Sequence, residues 1–124
     1  MIFRLVNRWD QSEQQIAESV SHALAEKTKL PAFNYKGPNA LKIGEVPGVW
    51  ARNLLANRSY YCPVVFLEPY VANSHDAYQR IMMGNYKGTR KFNGESRVSL
   101  VEEYADSVFE GIKNSFSGAK ISSN

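Results

Sequence analysis

The chain has 124 residues, 44% hydrophobic and 22% charged, which excludes a disordered tail or a collagen-like repeat and fits one domain with a real core. Its 15 Lys and Arg against 12 Asp and Glu leave a net charge of +3, too modest to demand a nucleic acid or an acidic membrane as partner. The single cysteine, Cys62, rules out an internal disulfide and any cysteine-rich zinc site.

The opening segment, IFRLV over residues 2–6, reads as a strand because it is short, β-branched and aromatic. Arg4 interrupts its apolar run, so it lacks the roughly 7–15 apolar residues of a signal peptide. Either the chain stays where it is made or its N-terminus is not the native one. No run approaches the ~18 apolar residues of a membrane helix.

Ser12 with Gln15 forms a capping-box pattern, and Ile16, Val20, Ala23, Leu24 and Lys27 lie on one stripe, so a helix is expected over 12–28. Leu30-Pro31 ends it. Residues 31–48 are rich in Gly and Pro and read as a long loop, which is either a functional element or a plain surface excursion. Residues 49–55 fit a strand or a short helix equally well. Val64 to Leu67 are four consecutive apolar residues bounded by Pro63 and Pro69, the pattern of a strand buried on both faces.

Asn73 or Ser74 caps the next helix, with Asp76 in its first turn, Tyr78, Ile81 and Met82 inside, and Gly84 as terminator. Residues 85–98 read as a basic hairpin turning at Asn93-Gly94. Ser99 and Glu102 form a second capping box. The helix it opens has Val101, Tyr104, Ala105, Val108, Ile112 and Phe116 on its apolar face, and Gly118 closes it. The polar tail 119–124 is expected to fray. The tetrapeptide Asn-Tyr-Lys-Gly occurs at 34–37 and again at 85–88, but the flanks differ and the repeat reads as coincidence.

Glu68 is the most informative carboxylate. It follows a buried run, and Pro69 keeps its backbone extended. That places it at the carboxyl end of a central strand, where α/β folds bind ligands and where an acid/base group is useful. The plain alternative is a strand-end glutamate paired with an arginine. His22 falls on the polar side of its helix, and His75 at a helix start reads as a bystander. Cys62 reads as a small buried residue. No HExxH or spaced His/Asp/Glu cluster is present, so this chain alone is expected to hold no zinc. Arg80, Lys87, Arg90, Lys91 and Arg97, with Tyr86 and Phe92 between them, fit a solvated hairpin better than a nucleic-acid surface.

The stretch CPVVFLEPYVANS, Cys62 to Ser74, resembles the segment around the catalytic glutamate of zinc-dependent N-acetylmuramoyl-L-alanine amidases. The similarity extends to the helix from Ser12 to Thr28, to Gly48–Leu54 where that family has a Val-Leu-Arg segment, and to the terminal helix SLVEEYADSVFEGIKNSF. Pro69-Tyr70 and Ala72-Asn73 replace the commoner Gly-Phe and Ser-Asn pairs. The family's zinc motifs, Asp-Pro-Gly-His-like, a helix glutamate and His-Ala-Asn-like, are not in this chain and by order fall upstream of Met1.

The resemblance implies a three-layer α/β fold, phosphorylase/hydrolase-like, with a mostly parallel sheet between helices. Residues 1–118 would be its C-terminal portion, incomplete at the N-terminus, with 63–68 as central strand. It implies a peptidoglycan hydrolase cleaving the amide between N-acetylmuramic acid and L-alanine, outside the cytoplasm. Zinc would belong to the complete domain, Glu68 would be catalytic, and Arg52, Asn53 and Asn73 would line the substrate cleft. A peptidoglycan-binding module without catalysis is the alternative, and a small basic nucleic-acid-binding domain a more distant one. An open sheet edge formed by 1–6, 49–55 and 63–68 would favour self-association.

Overall fold

The computed structural model describes residues 6–72 and 74–117. The elements run α1 (Trp9–Thr28), β1 (Ala40–Lys42), β2 (Trp50–Arg52), α2 (Leu55–Ser59), α3 (His75–Met82), β3 (Arg90–Phe92), β4 (Glu95–Arg97) and α4 (Leu100–Ser117). The expected three-layer, mostly parallel α/β sheet is not what forms. The described residues make a helix-rich domain with two separate two-stranded antiparallel sheets. β1 pairs with β2 in the register Ala40↔Arg52, Leu41↔Ala51, Lys42↔Trp50. β3 pairs with β4 in the register Arg90↔Arg97, Lys91↔Ser96, Phe92↔Glu95.

The segment expected as central strand, 63–68, belongs to neither sheet. A strand needs neighbours for its N–H and C=O groups, and here Val64 N–H donates instead to the Glu13 carboxylate on α1 at 2.6 Å. Phe66 is exposed and Val64, Val65 and Leu67 are only half-buried, so the run is not sandwiched between layers. Residues 49–55 take both readings in turn, a strand to Arg52 and then the short helix α2. They share no sheet with 63–68, so the open edge expected between these two segments does not form. The opening strand falls mostly on residues 1–5, outside the described residues, as do Gly118 and the tail.

α1 begins at Trp9, three residues before the expected cap, and Ser12 N–H already bonds back to Arg8 C=O. It stops where Lys29 turns left-handed at φ 57° and returns its N–H to Ala25 C=O, and Pro31 forbids resumption. α4 starts at the expected cap. Ser99 Oγ accepts from Glu102 N–H at 3.2 Å and donates to Asn85 Oδ1 at 3.0 Å. Ser74 caps α3 by accepting from Ala77 N–H, and Gly84 ends it at φ 66°. Asn93 and Gly94 both take positive φ, as the β3–β4 turn requires.

The two long helices make the main contact of the fold. The face of α4 that is buried is Glu103, Ser107, Gly111 and Ser115, at every fourth position, not the apolar stripe read from the sequence. Val101 is 58% exposed and Phe116 68%, while Tyr104 and Val108 are half-buried. The reason is closeness of approach. Small side chains let the two backbones meet, and the contact is finished by Ser19 Oγ donating to Gly111 C=O at 2.7 Å and Gln15 Nε2 to Ser115 C=O at 2.6 Å. In α3 the buried residues are likewise Ala77 and Arg80, while Tyr78, Ile81 and Met82 face outward.

Among the described residues the buried apolar side chains are Val20, Ala23, Val49, Ala77 and Tyr86. A polar knot supplements this thin core. Arg80 on α3 grips Glu103 on α4 through Nη1 at 2.8 and 3.0 Å, and its Nη2 donates to Val98 C=O at 3.0 Å. Tyr70 O–H donates to Glu103 Oε1 at 3.1 Å. Arg97 reaches Glu103 at 3.6 Å, donates to Lys27 C=O at the end of α1, and pairs with Glu95 at 2.8 Å. Arg80 and Arg97 are therefore structural ions rather than members of an exposed basic surface. No helix among the described residues is long and apolar enough to cross a membrane.

Candidate functional site

Glu68 stands at the end of the 63–68 segment, its side chain 58% exposed. Two residues from other segments converge on it. Arg52, the last residue of β2, places Nη1 3.6 Å from Glu68 Oε2. Tyr35, in the loop before β1, hydrogen-bonds the same Oε2 through its hydroxyl, and that hydroxyl accepts from Arg52 Nη1 at 3.1 Å.

The ring of Tyr35 is held on several sides. The Arg52 guanidinium lies 4.7 Å from its centroid. Phe33 meets it edge-on at 5.1 Å and Trp50 at 5.5 Å. Such edge-to-face contacts suit the ring quadrupoles, and the cation over the face adds a cation–π attraction. The β1–β2 pairing puts Trp50 and Arg52 on one face of the strand, two residues apart. Trp50 Nε1 and Arg52 Nε are buried and have no hydrogen-bond acceptor among the described residues.

The phenol of Tyr35 is held above the ordinary tyrosine range. The hydrogen bond to Glu68 is the main cause, burial and the carboxylate charge add to it, and Arg52 opposes it. The phenol is therefore protonated at neutral pH and is the donor in its bond to Glu68.

Of the residues singled out in the sequence, Glu68 and Arg52 come together. Asn53 is exposed beyond the end of β2, and no hydrogen bond among the described residues joins it to the cluster. Asn73 lies outside the described residues. His75 is an exposed first residue of α3, and His22 sits on the surface 3.7 Å from Glu26. Cys62, expected to be buried, is exposed.

Tyr35 is the member the sequence reading missed. It lies in the first copy of the Asn-Tyr-Lys-Gly tetrapeptide. In the second copy the Tyr86 hydroxyl donates to Arg97 and Val98 carbonyls, and Arg90 covers its ring at 4.4 Å. Both copies thus present a tyrosine with a hydrogen-bonded hydroxyl and an arginine over its face.

The zinc implied by the resemblance needs a set of His, Cys or carboxylate donors. Among the described residues no group of three or more His, Cys, Asp or Glu side chains is placed to hold a metal. Glu68 faces a guanidinium and a phenol, neither a zinc ligand set. The described residues do not fit zinc, and the chemistry they offer at this site is that of the Glu68 carboxylate.

Two cavities lie elsewhere. One of 460 Å³ runs between α1 and α4, lined mainly by amides and hydroxyls such as Gln11, Gln14 and Asn114. Another of 230 Å³ lies beside Tyr70, Arg80 and Arg97. Glu68 borders neither. Its side chain is more than half exposed to solvent. Compared with known proteins, the chain matches no family model, no curated protein and no solved structure.

Proposed function

We propose that this chain serves a peptidoglycan hydrolase of the N-acetylmuramoyl-L-alanine amidase type, working outside the cytoplasm, with Glu68 as its acid/base residue. The reading rests on the resemblance of the Cys62–Ser74 segment together with the exposure of Glu68, whose side chain is 58% open to solvent; its pairing with Arg52 is equally what the plain alternative, a glutamate paired with an arginine, expects.

The role of Glu68 follows from its surroundings. An exposed carboxylate with one oxygen held by a phenol, and the other without a hydrogen bond among the described residues, takes a proton from water as that water attacks the lactyl amide carbonyl. The same carboxylate returns the proton to the departing L-alanine nitrogen, so the C–N bond breaks and a free amine leaves. Arg52 supplies a positive charge 3.6 Å from the carboxylate and donates to the Tyr35 hydroxyl that holds it. Asn53 and Asn73 remain proposed contacts to the glycan-peptide strand, on the strength of the resemblance.

A second reading is a peptidoglycan-binding module without turnover. The Phe33, Tyr35 and Trp50 rings favour it, since they pack edge to face beside Glu68. One experiment separates the two. The natural polypeptide carrying these residues is incubated with purified sacculi, and new L-alanine amino termini and co-sedimentation are both measured. Cleavage by wild type, with Glu68→Gln slowing it about 10²–10⁴-fold while still sedimenting, supports the hydrolase. Sedimentation without cleavage by wild type leaves the binding module. Neither binding nor cleavage rejects both.

A further inference from the structure

We infer that Tyr35 is a positioning residue for Glu68, fixing by its hydroxyl which carboxylate oxygen is held and which is left to carry the proton. The inference deepens the hydrolase reading and rests on it for its catalytic part. The geometry behind it stands by itself.

Glu68 has little else to orient it. Its side chain is 58% exposed, and a glutamate in water rotates among several rotamers. Only two groups restrain it among the described residues, Tyr35 and Arg52, and both act on Oε2. Oε1 makes no hydrogen bond among the described residues. Tyr35 is the nearer of the two restraints and the only one within hydrogen-bonding distance, since Arg52 stays at 3.6 Å from the carboxylate and donates to the phenol instead. The guanidinium thus acts on Glu68 largely through Tyr35.

Tyr35 is itself fit to position another group. Two aromatic neighbours and one cation fix its ring plane, which fixes the direction of its hydroxyl. A phenol that keeps its proton at neutral pH can only donate to the carboxylate, so the bond has one polarity. The consequence is a carboxylate with a committed oxygen and a working oxygen. In a reaction where a proton moves from water to an amide nitrogen, such commitment sets the path. A small loss of alignment at a reacting group can cost about 10²-fold.

The test uses Tyr35→Phe, which keeps the ring and removes the hydroxyl, and Glu68→Gln. Tyrosines labelled with ¹³C at Cζ are titrated by NMR, and the Tyr35 signal is assigned by its loss in Tyr35→Phe. The expected result is that Tyr35 titrates above free tyrosine in wild type and moves back toward it in Glu68→Gln. On sacculi, Tyr35→Phe is expected to lower kcat by roughly 10–10²-fold with KM and co-sedimentation little changed. Unaltered Tyr35 titration in Glu68→Gln overturns the inference. So does a Tyr35→Phe variant with wild-type kcat, or one that loses only affinity. Inactive wild type with the titration shift present defeats the hydrolase reading and Tyr35's catalytic part in it, while leaving the Tyr35–Glu68 pairing established.

Discussion

Gly111 on α4 lies so close to Val20 on α1 that a methyl group added at Gly111 would sit 2.5 Å from the Val20 Cα. The obstacle is backbone, not a side chain that can swing aside. Helix propensity alone would favour alanine there by about 1 kcal/mol. Overpacking against a fixed neighbour costs typically 1–3 kcal/mol or more, and the contact is the main one of the fold. Gly111→Ala is therefore expected to lower stability by about 1–2 kcal/mol in denaturant unfolding. Phe109→Ser, on a side chain 66% exposed, is expected to change it by less than about 0.5 kcal/mol.

The knot between α3 and α4 gives a second expectation. Glu103→Gln leaves the buried Arg80 facing a neutral amide, with the Tyr70 hydroxyl also deprived of its carboxylate. Removing one partner of a buried pair typically costs about 3–5 kcal/mol. Replacing both at once, Arg80→Met with Glu103→Leu, is expected to recover much of that loss. Urea denaturation of Arg80→Met, Glu103→Leu and the double variant closes the cycle, with Glu103→Gln measured beside them. A double variant as damaged as Glu103→Gln would argue that Arg97, 3.6 Å from Glu103, carries the knot instead.

Tyr70 makes alkaline stability a probe of the same region. Its phenol is pushed well above the ordinary tyrosine value, by burial first, then by the charge of Glu103 and its hydrogen bond to it. Below about pH 10, the ordinary tyrosine pKa, folded and unfolded chains both keep this proton, so its contribution is constant. Above that, the unfolded chain loses the proton first and the folded chain binds more, so stability falls as pH rises. Tyr70→Phe is expected to cost about 1–3 kcal/mol at neutral pH, for a hydrogen bond to a charged acceptor. It is also expected to show a shallower decline between pH 10 and 11. Thermal unfolding of both proteins over that range is the measurement.

How far the sequence can be read depends on the range of the interaction. Ser74, Ser99 and Asn93-Gly94 act on backbone within a few residues, and each does what its chemistry predicts. The burial of α4 was misread because periodicity reports which residues are apolar, not which are small. Ser107, Gly111 and Ser115 count as polar or neutral on that scale, yet they are where the helices touch. The run Val64–Leu67 looked like a central strand because its composition fits one, but pairing partners decide strands, and none are present among the described residues. Glu68 stands out by the apolar run before it and Pro69 after it, and Arg52 only by the resemblance. Tyr35 does not stand out, because nothing local announces that a loop tyrosine will meet a carboxylate 33 residues on.

The outward face of α4 has a calorimetric consequence. Val101, Phe109, Ile112 and Phe116 meet water while the chain is folded. Unfolding then hydrates less new apolar surface than it does in a protein that hides such residues. The heat-capacity increment comes chiefly from that hydration and averages about 12–15 cal/mol/K per residue. For this chain it should fall below that range in differential scanning calorimetry. A small increment flattens the dependence of stability on temperature, so enthalpy and entropy of unfolding change slowly with warming, and the temperature of cold denaturation moves further below freezing.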